Sequence, residues 1–393
     1  MTDTLTTASG AEPRLLLVLL SPDWHGQARL PRAFAKAGFH VASLCPAESL
    51  MAKTRFAEKI YLLPTQESAL PYLVTAIRSF QPDIVIPASE DAVQFLHEVH
   101  HAGLDGRLPE QEMGDVLALV RRSLGYPEYF KATLNKHQNH AVAAKLGVRV
   151  PRQQAVKSSE DAADVAGSFG YPVALKSDYG CAGRGVRICS NRGEVEQAYH
   201  SLVFGVNQAN IAVQQFIAGT LACHTVAAWG GEVLEGFVAL QIHAFPTPTS
   251  PSSVVRFIEN ADTKRAMEQL VREYGYTGIC SADFIIERTT QRAYLLELNP
   301  RPVPLCGFAA LSGHDVCRAL YCHLSGQPYQ RASIQPGYDT VALFPNEWSR
   351  DLQSPYLRTA YHDVPWDDPS LLYAIMDPMR PIQPRLELEL NES

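Results

Sequence analysis

Short apolar runs alternate with helix-like segments in the N-terminal part of the chain, and this alternation constrains the fold more than any other feature. Strand-length runs at residues 14–20, 40–44 and 83–87 are separated by helical patterns at residues 28–36 and 71–80. Short buried runs separated by helices predict a small parallel sheet with helices on both faces. We therefore expect an α/β domain that begins after a flexible N-terminal tail.

A parallel sheet of this kind often binds ligands at the carboxyl ends of its strands, but two common nucleotide signatures are missing. No G-x-G-x-x-G follows the first apolar run, and no G-x-x-x-x-G-K-[S/T] occurs anywhere in the chain. These signatures place glycine backbone and a helix N-terminus against phosphate. Their absence argues against a Rossmann-type oxidoreductase and against a P-loop enzyme.

Length, charge and cysteine content exclude several broad classes of protein. The chain has 393 residues, of which 46% are hydrophobic and 19% charged, so it can fill more than one domain core. The net charge is −7 with Lys and Arg scattered along the chain, which argues against nucleic-acid and anionic-membrane partners. No apolar run approaches the ~20 residues that cross a bilayer. The eight cysteines form no C-x-x-C pair, so we expect a reduced, cytoplasmic protein.

The sequence SADFIIERTTQRAYLLELNPR carries the most informative pattern. Its two apolar runs flank a polar turn, which predicts a β-hairpin. A turn centred on Thr290 places Asp283 directly opposite Glu297. Because strand side chains alternate, Glu297 shares its face with Asn299, and with Arg301 if the backbone stays extended.

The repulsion between the two facing carboxylates is the reason to expect a metal ion. At ~4 Å and an effective dielectric constant near 20, like charges repel by about 4 kcal/mol, and such pairs are disfavoured unless something neutralises them. Oxygen ligands from Asp283, Glu297 and Asn299 suit Mg²⁺ or Mn²⁺ rather than zinc. The alternative is a solvated acidic face, but the apolar residues around both carboxylates favour the metal site.

A glycine-rich loop follows a predicted strand that ends in Lys176. The loop contains Gly180, Gly183 and Gly185. Glycines allow backbone N–H groups to point at an anion, and a neighbouring lysine adds a charge suited to phosphate. Alone, the pattern also fits a flexible hairpin turn, and a helix lysine such as Lys136 is most often simply solvated.

Together, four motifs resemble those of ATP-grasp enzymes, the superfamily that contains D-alanine–D-alanine ligase, biotin carboxylase and the carbamoyl-phosphate synthetase large chain. They follow the family's order and approximate spacing over residues 110–325: LNKHQNHAVAAKLGVRVP, YPVALKSDYGCAGRGVRI, VQQFIAGT and DFIIERTTQRAYLLELNPR. The resemblance implies a fold in which two α+β subdomains sandwich a nucleotide. It implies the following domains: a tail at 1–13, a pre-ATP-grasp α/β domain at 14–108, an ATP-grasp domain at 109–325 with a smaller lid subdomain at 150–212, and a C-terminal extension at 326–393.

The resemblance also implies a role for each matching residue. Two lysines would hold the ATP phosphates, the glycine loop would close over them, and a hinge would contact adenine. The ATP-binding residues so implied are Lys136, Lys176, Gly180, Gly183, Gly185, Gln214, Gln215, Phe216 and Ile217. The implied metal ligands are Asp283, Glu297 and Asn299, with Glu297 bridging two Mg²⁺ ions, and the implied catalytic residues are Lys176 and Arg301, which would stabilise the phosphoryl group in transfer.

Two positions depart from the family pattern. Many relatives have an acid at the first hinge position, where this chain has Gln214, whose amide oxygen can still accept a hydrogen bond from adenine. Many also have a glutamate for the ribose hydroxyls where this chain has Leu221. Ribose contacts would then come from elsewhere, and His224 is the candidate.

The resemblance implies an ATP-dependent carboxylate–amine ligase that activates an acid as an acyl phosphate and releases ADP and phosphate. The alternative is a non-catalytic nucleotide-binding module of the same fold. We expect small-molecule acid and amine substrates, no nucleic acid, no membrane and a homodimer. Arg256, after a Pro/Ser/Thr-rich loop at residues 243–253, and Arg184 are candidate clamps for the substrate carboxylate, with an exposed structural arginine as the alternative for each.

Overall fold

The computed structural model describes residues 12–21, 25–64, 68–108, 110–177, 185–205, 210–333 and 337–377. Over these ranges the chain forms a four-stranded parallel sheet, a four-stranded antiparallel sheet and a seven-stranded sheet. The predicted fold class, a parallel α/β part followed by α+β parts, is confirmed.

The N-terminal body is a parallel sheet of order β3-β2-β1-β4. Its central strands are almost entirely apolar because helices or other parts of the chain cover both of their faces. The strands are β1 (Arg14–Val18), β2 (His40–Pro46), β3 (Lys59–Leu63) and β4 (Ile84–Pro87), and the helices are α1 (Leu30–Ala37), α2 (Leu70–Phe80), α3 (Glu90–Leu104) and α4 (Glu110–Arg122).

Two short helices, α5 (Phe130–Leu134) and α6 (Lys136–Lys145), lead from the N-terminal body to the small antiparallel sheet. That sheet has the order β5-β8-β6-β7. Its elements are β5 (Gln153–Val156), α7 (Ser159–Phe169), β6 (Val173–Ser177), β7 (Val186–Cys189), α8 (Arg192–Gly205) and β8 (Ile211–Gln215). Both helices pack on one face of the sheet, which leaves the opposite face directed at the rest of the molecule.

The large sheet has the order β13-β12-β9-β10-β11-β14-β15 and is antiparallel except between β14 and β15. Its strands are β9 (Gly219–Trp229), β10 (Glu232–Ala244), β11 (Ser252–Ile258), β12 (Gly278–Glu287), β13 (Ala293–Asn299), β14 (Thr340–Ala342) and β15 (Tyr361–His362). The accompanying helices are α9 (Ala261–Glu273), α10 (Val316–Ser325), α11 (Asn346–Arg350), α12 (Tyr356–Thr359) and α13 (Pro369–Met376).

The two faces of the large sheet have different neighbours. The face that carries Val226, Ala282 and Phe284 packs on α9, and we name it the α9 face. The face that carries Ala227 and Ile279 packs on the N-terminal body and α10, and we name it the inner face. Because side chains alternate along a strand, the face decides which neighbours each residue meets.

The elements differ from the sequence-based expectation in several places. The sequence did not predict strands β3, β5 and β11 or helices α3 and α10. The loop expected at residues 243–253 is shorter because β10 continues to Ala244 and β11 begins at Ser252. The sequence pattern is helical throughout residues 109–146 and ends at a helix-stop signal at Gly147, whereas the structure divides this segment among α4, α5 and α6. Residues assigned to a C-terminal extension contribute β14 and β15 to the large sheet. None of the helices in the described ranges is long and apolar enough to span a bilayer.

A buried ionic cluster attaches the segment after residue 312 to β10. The carboxylate of Glu235, whose side chain is 4% exposed, accepts bonds from Arg331 Nε at 2.7 Å and Arg331 Nη2 at 3.0 Å. His314 Nδ1 lies 3.1 Å from the same carboxylate. Burial alone would raise the pKa of Glu235, but the bonds from His314 and Arg331 outweigh it and lower the pKa to about 2. The cluster therefore stabilises the fold only while Glu235 is ionised.

Replacing Glu235 with Gln is expected to destabilise the protein by about 2–3 kcal/mol at pH 7, because a lowered carboxyl pKa is a gain in folding free energy. The gain is complete above the ordinary value of 4.5 and is lost as the pH falls toward 2, so the two proteins should converge in acid. Urea unfolding at pH 7 and pH 3 measures this. Glu232→Gln, an exposed change on the same strand, is the control; an equal effect of both variants would contradict the prediction.

Candidate active site

The hairpin of β12 and β13 brings the predicted acidic residues together. Asp283 pairs with Glu297 across the two strands, and Ser281 pairs with Asn299. Asn299 Nδ2 lies 3.5 Å from Asp283 Oδ2, to which it donates. Asp283 lies on the inner face, since it also pairs with Cys223, between the α9-face residues Ala222 and His224.

The hairpin contains a β-bulge that the sequence did not predict. Beyond the Asp283–Glu297 pair the register shifts by one residue, so that Phe284 pairs with Leu295 and Leu296 is the extra residue. A bulge bends the strand and re-aims the neighbouring side chain. The register predicted from a turn centred on Thr290 therefore holds for Asp283 and Glu297, and it is off by one residue for the pairs between them and the turn.

Helix α6 fixes this hairpin from one side. Asn135 caps the helix by accepting from the backbone N–H of Gln138 at 3.0 Å. Lys136, the first residue of the helix, places Nζ 2.9 Å from Glu297 Oε2. One turn later, His140 Nε2 donates to the carbonyl oxygen of Leu296 at 2.7 Å. The same helix therefore holds both the bulge and the carboxylate next to it.

Lys176 approaches the acidic pair from the small sheet. It lies on the face of β6 that α7 and α8 leave uncovered, because its neighbours Leu175 and Ser177 alternate with it and Leu175 packs on those helices. Burial lowers the pKa of Lys176 to about 8, Glu297 and Asp283 act to raise it, and Lys136 acts to lower it further. Lys176 and Lys136 therefore lie in the electrostatic field of the same two carboxylates.

The two carboxylates differ in their protonation. Burial and the neighbouring Glu297 raise the pKa of Asp283 to about 7. Burial also acts to raise the pKa of Glu297, but Lys136 and Lys176 outweigh it, and the pKa of Glu297 is lowered. Two partly buried acids with pKa values driven apart are typical of functional sites.

The donor set fits a hard divalent cation. Two carboxylates and one amide group offer the oxygen ligands that Mg²⁺ and Mn²⁺ take. In the described part of the chain, no three His, Cys, Asp or Glu side chains gather around a common point, so the site lacks the ligand set of a structural zinc ion. The pairing of Asp283 with Glu297 is explained if a cation balances their repulsion.

Arg301 lies just beyond β13, between two prolines. Its guanidinium forms an ion pair with Glu90 at the start of α3, and its side chain is 7% exposed. Its positive charge acts to lower the pKa of Asp283. The backbone bends at Pro300 and Arg301, so the extended course on which the predicted shared face of Glu297 and Arg301 depended ends at Asn299.

The predicted hinge lies at the end of β8. Gln214 is buried and its Nε2 donates to Gln153 Oε1 at 3.2 Å, whereas the backbone N–H of Gln215 donates to the carbonyl of Arg152 at 2.8 Å. Phe216 is 39% exposed and Ile217 is buried. Gln214 shares a face of the small sheet with Lys176, because Gln214 pairs with Ala174 and strand residues two apart face the same way. Gln214 and Lys176 therefore lie on the same face of the small sheet, and we name the region between this face and the acidic pair the candidate cleft.

Two predicted substrate residues lie away from this cleft. His224 is buried on the α9 face, and burial lowers its pKa to about 3. The strand register connects Arg256 through Leu240 and Ala222 to Phe284, which also puts it on the α9 face, where its Nε donates to Thr340 Oγ1 at 3.2 Å. Their assignment to ribose and to the substrate carboxylate was wrong, because it ignored which face each strand residue occupies.

Part of the glycine loop lies outside the described residues. This holds for Gly180, Gly183 and Arg184. Gly185 is described, and its carbonyl accepts from the backbone N–H of Ser177 at 3.0 Å. The described residues on either side of the loop, Ser177 and Gly185, are therefore neighbours.

Sequence reasoning missed two residues near the acidic pair. Cys223 lies directly beside Asp283 on the inner face, and burial raises the pKa of its thiol well above the usual range, so it is a neutral donor. Strand alternation from Leu221 could have found it. Glu90, the partner of Arg301, lies three residues beyond the end of β4, and the rule that parallel sheets bind ligands at strand carboxyl ends could have pointed to it.

Known proteins resemble this chain over the same regions. A family model described as the carbamoyl-phosphate synthase L chain, ATP binding domain, matches residues 135–220. The carbamoyl phosphate synthase large chain of Thermotoga neapolitana is 22% identical over 71% of this chain and 25% of its own length. The chain thus spans about a quarter of the length of the curated relatives that it matches.

Two solved structures resemble the whole arrangement. The biotin carboxylase domain dimer of Hydrogenobacter thermophilus 2-oxoglutarate carboxylase, in complex with MgADP, ADP and bicarbonate, has a TM-score of 0.55 at 18% identity, over 82% of this chain and 71% of that one. The L-amino acid ligase from Bacillus licheniformis has a TM-score of 0.56 at 17% identity, over 81% and 75%. The chain therefore has the ATP-grasp fold that its four motifs predicted.

Proposed function

We propose that the protein is an ATP- and Mg²⁺-dependent ligase that activates a substrate carboxylate as an acyl phosphate for attack by an amine. One observation carries the proposal: three cations and three oxygen ligands converge from three separate parts of the fold. Lys136 comes from α6, Lys176 from the small sheet, and Arg301 follows the β12–β13 hairpin that carries the acidic pair. An ion-pair network that only stabilised the fold would not need three cations around two partly buried carboxylates.

The comparisons support the proposal in outline. The matching family model is an ATP-binding domain and includes Lys136, Lys176 and the hinge. The solved neighbours include an amino acid ligase and a carboxylase domain that holds MgADP. Because the chain spans only part of its curated relatives, its reaction and substrates are proposals drawn from its own site.

The proposed metal site is formed by Asp283, Glu297 and Asn299. Their oxygens would hold one or two Mg²⁺ ions, and Mn²⁺ suits the same ligands. When bound, the metal supplies positive charge that offsets the negative charge of the triphosphate during transfer. With the metal bound, Lys136, which pairs with Glu297 at 2.9 Å, would be able to contact the phosphates.

The reaction follows from the charges that line the cleft. A carboxylate is a poor electrophile, so it needs a leaving group before an amine can attack it. With Lys136 and Lys176 neutralising the triphosphate, the substrate carboxylate attacks the γ-phosphorus, the bond to the β-phosphate oxygen breaks, and ADP leaves. Arg301 would stabilise the phosphoryl group as it moves. The amine then attacks the acyl carbon and phosphate departs, while the loop above Lys176 excludes water.

The nucleotide base would rest at the end of β8. The side chain of Gln214 and the backbone around Gln215 offer hydrogen bonds, and Phe216 and Ile217 offer apolar contact. Gly219 permits this placement, since a Cβ atom there would lie 2.2 Å from the carbonyl oxygen of Ile286. The hinge is therefore held tightly against the strand that carries Asp283.

Substrate identity and assembly remain part of the proposal. His224 and Arg256 lie on the α9 face, and Leu221 would give the ribose side of the cleft an apolar lining. A homodimer and a cytoplasmic location stay predictions. Sedimentation and fractionation of the natural protein test them.

Phosphate release from MgATP in the presence of paired acids and amines tests the function. An active pair is expected to release ADP and phosphate together with an amide product. Glu297→Gln should lower the rate by about 100-fold or more, the effect expected when one preorganised electrostatic contact is lost, and Glu232→Gln should leave it unchanged. Nucleotide binding without turnover by any pair would favour the non-catalytic module, and full activity of Glu297→Gln would refute the metal assignment.

Replacing Lys176 with Met is expected to weaken binding of the β,γ-imido analogue of ATP with Mg²⁺ by about 10- to 100-fold. The change removes a charged hydrogen bond worth about 1.5–3 kcal/mol. Isothermal titration calorimetry measures the affinity. Lys157→Met, an exposed change at the start of α7 in the same subdomain, is the control. Unaltered affinity in Lys176→Met would show that Lys176 does not contact the phosphates.

A further inference from the structure

We propose that Glu90 is a positioning residue for Arg301, through which the N-terminal body orients the guanidinium for phosphoryl transfer. The inference rests on the proposed function and names a residue that the ATP-grasp motifs do not include. It begins from the ion pair between Glu90 and Arg301, which joins residues 211 positions apart in the chain.

Backbone contacts alone fix the chain at Arg301. Pro300 and Pro302 fix the backbone on either side, and the N–H of Arg301 donates to the carbonyl of Asn299 at 2.8 Å. Gln27, which is fully buried in the N-terminal body, donates Nε2 to the carbonyl of Pro302 at 3.1 Å. The Cα atom of Arg301 is therefore fixed relative to β13 and to the N-terminal body.

The far end of the arginine is held by the N-terminal body. Arg301 Nη2 donates to Glu90 Oε1. Glu90 opens α3, whose start is held by Ser89: its Oγ accepts the N–H groups of Ala92 and Leu20, each at 3.3 Å. Because β1 and β4 are neighbours in the parallel sheet, Glu90 lies where their carboxyl ends meet. The backbone that carries the Glu90 carboxylate is therefore fixed.

The exposures of the two partners differ in a way that suits positioning. The Arg301 side chain is 7% exposed and the Glu90 side chain is 43% exposed. An arginine side chain has about 2 kcal/mol of rotamer entropy to lose when it is ordered. A charged partner at Nη2 restricts the rotation of the guanidinium and so limits the directions that its other donors can take. Arg301 also acts to lower the pKa of Asp283, so the electrostatic influence of the guanidinium extends to the proposed metal ligands.

A nucleotide-binding experiment tests the inference without a known substrate. The probe is MgADP, titrated alone and with aluminium fluoride, which mimics the phosphoryl group in transfer. If Arg301 is correctly oriented, MgADP should bind more tightly with aluminium fluoride than alone. Glu90→Gln should reduce that ratio of affinities by about 10- to 100-fold, the range expected from a small misplacement, and Glu90→Asp, which keeps the charge, should retain more of it.

The matched control is Asp91→Asn. Asp91 occupies the same first turn of α3, but its carboxylate accepts from Ser21. This variant should keep the ratio. When Arg301 is already replaced with Gln, the additional change Glu90→Gln should not lower the affinity ratio further. A residue that acts only through Arg301 has no effect once Arg301 is gone. A merely structural role would lower the thermal stability and both affinities together while preserving the ratio.

Each outcome decides between the two proposals. A lost ratio in Glu90→Gln, silent in the Arg301→Gln background, supports the positioning role. A preserved ratio, or an equal further loss in that background, overturns the positioning role while the proposed function stands. Failure of the unaltered protein to bind MgADP overturns the proposed function, and the inference with it.

Discussion

The repulsion between Asp283 and Glu297 is the constraint on which the rest of the site depends. The strand register places the two carboxylates opposite each other in a partly buried position, where two ionised carboxylates would repel by about 4 kcal/mol at ~4 Å and an effective dielectric constant near 20. The fold meets this cost with Lys136, Lys176 and Arg301, which come from three directions. The lysines keep Glu297 charged, while Asp283 holds its proton to about pH 7. A site already arranged for extra positive charge is suited to accept a metal ion.

Helix α6 shows how the scaffold maintains this arrangement. It contributes a lysine to the carboxylate and, one turn later, a histidine to the bulged backbone next to it. Burial lowers the pKa of His140 to about 4, so the ring is neutral and remains a fixed donor near neutral pH. Asn139 ties the same helix to α9 through its bond to the hydroxyl of Tyr274, at 2.9 Å. Helix α6 therefore fixes the position of the bulge and of the acidic pair relative to each other.

Local patterns in the sequence predicted the parts of the site that lie close together in the chain. The pairing of Asp283 with Glu297 follows from strand alternation and one turn, and the parallel sheet follows from alternating apolar runs. The incorrect assignments have a common cause. His224 and Arg256 were judged without knowing their faces, and Arg256 stands on a strand that the sequence did not reveal. The contact of Glu90 with Arg301 spans two bodies of the fold, and no local pattern encodes such a contact.

The last strands of the large sheet have a consequence for how the chain can be divided. Strand β14 pairs with β11, and the segment around it is fastened to the N-terminal body where Arg29 reaches Asp363 at 3.1 Å and donates to the carbonyl of Phe344 at 2.6 Å. A fragment that stops after α10 would leave β11 as an open edge, with unpaired backbone groups that invite pairing between molecules. The C-terminal strands therefore protect the edge of the large sheet, and we expect expression of the motif region alone to favour aggregation.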